Sequence, residues 1–119
     1  MYYMTVSAHF SAAHSLRDYD GPCKELHGHN YKLKVKLKGA KLDELGMLID
    51  YKVVKETLNE VLSVLDHGYL NNIAPFDFIN PTSENIAKYL HDELKNQIPL
   101  VYEVVVFESD GQGVAYSEE

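Results

Sequence analysis

His27-Gly28-His29-Asn30-Tyr31-Lys32-Leu33-Lys34-Val35-Lys36-Leu37-Lys38 is the stretch that decides the fold class of this chain. Tyr31, Leu33, Val35 and Leu37 alternate strictly with four lysines, which is the period of a strand with one face buried and the other in water. Upstream, Met4, Val6, Ala8, Phe10 and Ala12 form a second alternating series, opposed by Tyr3, Thr5, Ser7, His9 and Ser11. Two such runs in succession predict neighbouring strands whose apolar sides look the same way.

The same parity carries chemistry. Residues two apart on a strand point to one side of the sheet, so His27 and His29 can converge on one ion. Both fall on the apolar parity of their strand, and the next residue on the apolar side of the first strand is His14. A trio of neutral imidazoles is a catalytic zinc shell with its fourth position left for water or substrate. Imidazole also suits copper, iron and nickel. The bland alternative is three partly buried histidines bonded to backbone carbonyls.

Beyond the second strand the order is helix, helix, strand, strand. Residues 39–46 connect, and Asp50 is placed to cap a helix with Val54, Leu58, Val61, Leu62 and Leu65 on one stripe. Asn80-Pro81-Thr82 opens a second helix, with Thr82 or Ser83 as cap, Ile86, Leu90 and Leu94 inward, and Pro99 past its end. Val101–Ser109 reads as a buried strand, residues 110–113 as a turn, and residues 114–117 as a closing strand. Two strand pairs around two helices predict an α+β layer, a four-stranded antiparallel sheet in ββααββ order with both helices on one face. No repeat, low-complexity tract or linker divides residues 1–119, so one domain is expected.

Composition narrows the function classes. A formal charge of -7 argues against a nucleic-acid surface. A basic segment and apolar stretch of signal-peptide type are absent from Met1-Tyr2-Tyr3-Met4, and no apolar run approaches membrane-spanning length. One cysteine cannot form an internal disulfide, and a cytoplasmic protein is the expectation. That cysteine, Cys23, sits between Gly21-Pro22 and the charged Lys24-Glu25, as in a loop. A thiol reacts as its thiolate and needs a base. His67, oriented by Asp66, is the leading candidate, although a histidine at a helix C-terminus explains the same pair. Glu108 closes the apolar run Val104-Val105-Val106-Phe107, either as a solvated strand end or as an acceptor for a flat pair of donors.

Several ordered motifs then point to one family. Cys23-x-x-x-His27-Gly28-His29-Asn30-Tyr31, preceded by Phe10-Ser11-Ala12-Ala13-His14, resembles the 6-pyruvoyl-tetrahydropterin synthase family. Gly46-Met47-Leu48-Ile49-Asp50-Tyr51, Leu65-Asp66-His67-Gly68-Tyr69-Leu70-Asn71, Pro81-Thr82-Ser83-Glu84-Asn85 and Glu108 follow in family order, so the likeness runs nearly end to end. The resemblance implies the tunnelling fold, or T-fold, in which subunits join their sheets into an oligomeric barrel and two trimers stack as a homohexamer. It implies Zn2+ on His14, His27 and His29, catalysis by Cys23 with an Asp66–His67 pair from a neighbouring subunit, and a pterin ring anchored by Glu108. Thr82 and Ser83 add hydroxyl contacts to the ring, or cap the helix.

The short gap between Cys23 and His27 resembles the queuosine-pathway branch. Those enzymes convert 7,8-dihydroneopterin triphosphate to 6-carboxy-5,6,7,8-tetrahydropterin with release of acetaldehyde and triphosphate, a lyase reaction. Glu25 also matches members that cleave dihydroneopterin, or its triphosphate, to 6-hydroxymethyl-dihydropterin for folate. Formation of 6-pyruvoyl-tetrahydropterin is a further family activity, and a non-catalytic metal- or pterin-binding module is the alternative outside the enzymes. The expected partners are a small pterin and further copies of the chain, with no nucleic acid and no membrane.

Overall fold

The computed structural model describes residues 1–21 and 27–118, with residue 27 described for its backbone alone. Strand β1 (Tyr2–His14) pairs antiparallel with β2 (His27–Gly39) in unbroken register from Tyr2 opposite Gly39 to His14 opposite His27. Helix α1 (Tyr51–Ser63) follows, then β3 (Gly68–Tyr69), a single 3-10 turn (Leu70–Asn72), helix α2 (Ser83–Gln97), β4 (Val101–Ser109) and β5 (Gln112–Ser117). The sheet order is β3-β1-β2-β4-β5. The expected antiparallel four-strand frame is therefore present, extended by a two-residue strand lying parallel to β1 at Ala12 and Ala13. Only two residues pair there, too few to leave a periodic signal in the sequence.

The alternation in β1 and β2 decides which face is buried. Val6, Phe10, Ala12, Tyr31, Leu33, Val35 and Leu37 turn toward the helices and are almost fully covered. They meet Val54, Leu58, Val61 and Leu62 of α1 and Ile86, Ala87, Leu90 and Leu94 of α2. Each of the larger aliphatic or phenyl side chains among them contributes about 1.5–3 kcal/mol on leaving water. Asp50 caps α1 by accepting from the Lys52 N–H at 2.9 Å, and Thr82 caps α2 by accepting from the Asn85 N–H at 3.1 Å. The turn between β4 and β5 is tighter than expected, since β5 already starts at Gln112.

The lysine row lies on the other sheet face. Lys32 pairs with Asp110 at 3.0 Å and Lys36 with Glu103 at 3.1 Å, while Lys34 and Lys38 sit over the rings of Phe107 and Tyr102. The row thus points away from the helix-facing histidines. Gly113 lies against Phe107 in this region, because a Cβ there would come within 2.5 Å of the ring.

Candidate active site

The inward parity of three strands brings His14, His29 and Glu108 together at one end of the sheet. In register His29 lies opposite Ala12, two residues before His14, so the two imidazoles are diagonal neighbours. Their rings stack with centroids 5.0 Å apart. His29 Nε2 is 2.8 Å from Glu108 Oε1 and His14 Nε2 is 3.8 Å from the same oxygen. One ligand atom from each of the three lies within 4.8 Å of the other two. His14 is buried at 3% side-chain exposure, whereas Glu108 keeps 27%, so the group opens to solvent on the glutamate side.

Glu108 continues the inward parity of Val104 and Val106 and stands at a local irregularity. Phe107 pairs with Gly113 and Ser109 with Gln112, so β4 carries one residue more than β5 at Glu108. A bulge of this kind bends the strand and re-aims the extra side chain. Ser83, the first residue of α2, donates from its Oγ to Glu108 Oε2 at 3.3 Å. A cavity of about 240 Å³ opens here, lined by His14, Leu16, Thr82, Ser83, Glu84 and Glu108 among others.

A second cavity of about 400 Å³ lies along His29, Asn30, Ser11 and His67. Asp66 and His67 follow α1 instead of ending it. Asp66 Oδ1 accepts from the Ser11 N–H at 2.9 Å, and its Oδ2 is 3.1 Å from His67 Nδ1. The Ser11 bond, helped by the adjoining His67, holds the Asp66 carboxyl below the usual carboxylate range against the opposing effect of desolvation. His67 takes φ = 58°, the left-handed region, and its N–H donates to the Ser11 carbonyl. Its imidazole is 82% exposed and directed by the carboxylate, as a proton-transfer group needs to be.

Of the residues expected from the sequence, the structure gathers His14, His29, Glu108 and Ser83, and pairs Asp66 with His67. The hydroxyl of Thr82 caps α2 and its residue lines the smaller cavity. The backbone of His27 pairs with His14 in β2, but its side chain, like the whole of Cys23 and Glu25, lies outside the described residues. His9 sits on the opposite sheet face, and His91 belongs to a separate group with Asp92 and Glu118, where Lys88 already binds Asp92.

Four residues at the site were not singled out from sequence. Asn71 brackets the backbone of Ser15, accepting from its N–H at 2.9 Å and donating to its carbonyl at 3.0 Å. Asn80 does the same for Arg17. The Arg17 guanidinium donates to the carbonyls of Phe76 and Ile79. These bonds tie the segment after His14 to the long connection between β3 and α2. Tyr31, read only as a core residue, places its hydroxyl 2.6 Å from His14 Nδ1.

A family model described as 6-pyruvoyl tetrahydropterin synthase matches residues 3–119. A solved 6-pyruvoyl tetrahydropterin synthase from Caenorhabditis elegans superposes with a TM-score of 0.89 at 30% identity, covering 99% of this chain and 96% of that one. Fold and site therefore define a T-fold protein of the tetrahydropterin synthases. The chain is similar to a 6-carboxy-5,6,7,8-tetrahydropterin synthase from Synechocystis, 34% identical over 90% of this chain and 86% of the relative. It is also similar to a 6-pyruvoyl tetrahydrobiopterin synthase from Dictyostelium discoideum, 37% identical over 83% and 76%. The chain belongs to the 6-pyruvoyl tetrahydropterin synthase family.

Proposed function

We propose that this chain is a zinc-dependent lyase converting 7,8-dihydroneopterin triphosphate to 6-carboxy-5,6,7,8-tetrahydropterin, with release of acetaldehyde and triphosphate, in queuosine biosynthesis. The observation that carries the reading is the group of His14, His29 and Glu108 set beside a cavity that Thr82 and Ser83 also line. Imidazoles are ordinary zinc donors, and those of His14 and His29 lie side by side with ring centroids 5.0 Å apart, so the residues fit the metal. His14, His27 and His29 would hold it. When bound, zinc supplies Lewis acidity toward the oxygens of the substrate side chain.

The remaining steps belong to the chain's own groups. Glu108 accepts the paired N–H donors of the pterin edge, and the Ser83 hydroxyl steadies the carboxylate for that contact. Thr82 lines the same cavity and adds a smaller contact. Asp66 fixes the His67 imidazole by Nδ1, leaving Nε2 to take a proton from the Cys23 thiol, which then moves protons on the side-chain carbons. In this reading the Asp66–His67 pair that meets Cys23 comes from a neighbouring subunit.

The protein works as a cytoplasmic homohexamer of two stacked trimers. Among the described residues β1 is paired on its outer side only at Ala12 and Ala13, and β5 has a free outer edge, so sheets of adjacent copies have backbone groups to join. The Dictyostelium relative favours a second reading, 6-pyruvoyl-tetrahydropterin formation, in which the carbon chain stays intact. Glu25 would serve a third, cleavage to 6-hydroxymethyl-dihydropterin.

Product analysis separates them. Zinc-loaded protein is mixed with dihydroneopterin triphosphate, and separately with dihydroneopterin, and the pterins are identified by mass spectrometry. Acetaldehyde with the 6-carboxy product is the expected result. A 6-pyruvoyl or 6-hydroxymethyl product moves the chain to the corresponding activity, and no turnover removes the enzyme reading altogether.

A further inference from the structure

Tyr31 is fully buried, and its ring lies flat on Phe10 with centroids 4.8 Å apart and an interplanar angle of 12°. Phe10 is its cross-strand partner in the β1–β2 register. This packing leaves the ring little freedom and directs the hydroxyl along the sheet to His14, where it lies 2.6 Å from Nδ1. The other ring nitrogen of His14, Nε2, faces Glu108 Oε1 at 3.8 Å. The imidazole is thus held between a hydroxyl on one side and the group with His29 and Glu108 on the other.

Tautomer chemistry gives this arrangement a consequence. A neutral imidazole that ligates through Nε2 carries its proton on Nδ1, and that N–H needs an acceptor when it is buried. At His14, 3% exposed, water is a poor source of one. A phenol oxygen can accept as well as donate, so the Tyr31 hydroxyl fits a protonated Nδ1 by turning its own hydrogen aside. Phenylalanine would fill the same space beside Phe10 and offer no acceptor.

We propose that Tyr31 is the positioning residue of the metal centre: its hydroxyl oxygen accepts the Nδ1–H of His14, fixing the tautomer and ring orientation that leave the Nε2 lone pair facing His29 and Glu108. The proposal rests on the metal reading given above and extends it to a residue that does not itself touch metal or substrate. Outer partners of metal-bound histidines typically change affinity ten- to a hundredfold when removed. Tyr31→Phe takes away one oxygen atom and keeps the stacked ring, so that factor is the effect expected of it.

The test uses the full-length protein and zinc alone. Zinc affinity is measured by competition with a chelator for wild type and Y31F, after thermal unfolding of the stripped proteins shows that both are folded. In parallel, long-range proton–nitrogen NMR of the zinc-loaded wild type reads which nitrogen of His14 is protonated. The expected results are a dissociation constant raised ten- to a hundredfold in Y31F, and a proton on His14 Nδ1 in wild type. Equal affinities in the two proteins overturn the role of Tyr31 while leaving the metal centre standing. A His14 protonated at Nε2 does the same, and needs no variant to be seen. Failure of the wild type to bind stoichiometric zinc overturns the metal reading and, with it, this one.

Discussion

The main chain of Ser11 grips Asp66 and His67 together: its N–H donates to Asp66 Oδ1 at 2.9 Å and its carbonyl accepts from the His67 N–H. The bond to Asp66 is the leading reason its carboxyl titrates below the usual range, ahead of the neighbouring imidazole. Because the folded value is depressed, the stabilisation is present above the unfolded carboxylate pKa of about 3.9 and is lost as pH falls through the folded value. NMR titration should place the Asp66 midpoint below the ordinary one in wild type. In His67→Ala a depression should remain, since the Ser11 bond, the leading cause, is untouched. A return to the ordinary midpoint in that variant would show that the imidazole, not the strand, holds the charge.

His67 itself occupies a conformation that costs a non-glycine residue on the order of 1–2 kcal/mol. Asparagine tolerates the left-handed region better, so His67→Asn should leave stability within about 1 kcal/mol of wild type or slightly raise it. Turnover should nevertheless fall by about 10²–10⁴, the usual worth of a positioned proton-transfer group, with zinc content unchanged. Paired urea denaturation, metal analysis and steady-state rates would show this, and a variant that kept full turnover would remove His67 from the chemistry.

Periodicity revealed the sheet and the inward direction of His14 and His29 because both follow from strand parity alone. It also placed both helix caps, which depend on short-range spacing. What it did not reveal depends on long-range geometry. The two-residue β3 exists only because α1 returns the chain to the edge of β1 at Ala12 and Ala13. Glu108 shares the inward parity of Val104 and Val106, but the bulge at that residue, a slip of register against β5, leaves no periodic trace. The roles of Asn71, quoted only within a motif, and of Asn80, read only as the start of a helix, stayed hidden because their partners are backbone groups more than fifty positions away. The separation of the lysines from the histidines was legible from the same parity, but the partners of the lysines, Asp110, Glu103, Phe107 and Tyr102 on β4 and its turn, were not.

Asn71 offers the sharpest test of that hidden scaffold. It is 8% exposed and makes two bonds to the backbone of Ser15, the residue that follows His14. Asn71→Ala leaves a backbone donor and acceptor without their partner, at a cost of about 1–3 kcal/mol. Asn72→Ala, at an exposed neighbouring position, should stay within about 0.5 kcal/mol. Urea unfolding of the two variants makes the comparison, and equal losses would mean that the bracket around Ser15 contributes nothing specific.

Thr82 and Ser83 are adjacent hydroxyl residues with different partners, and kinetics can tell them apart. Thr82 accepts from the Asn85 N–H, so Thr82→Ala should cost about 1 kcal/mol of stability, with Thr82→Ser restoring most of it. Ser83 donates to Glu108 Oε2, so Ser83→Ala should raise KM for the pterin while leaving unfolding almost unchanged. Glu108→Gln should go further in the same direction, because the amide presents only one acceptor oxygen to the paired ring donors. The loss of a charge-assisted contact worth about 1.5–3 kcal/mol corresponds to about a 10- to 150-fold fall in kcat/KM. Zinc content should be retained in all four variants if the histidines carry the metal. Loss of zinc from Glu108→Gln would instead make Glu108 a ligand, with its Oε1, 2.8 Å from His29 Nε2, completing a His–His–Glu donor set. Ser83→Ala decides which account holds, since weakening the support of a ligand lowers metal affinity, whereas weakening the support of a pterin acceptor raises KM alone.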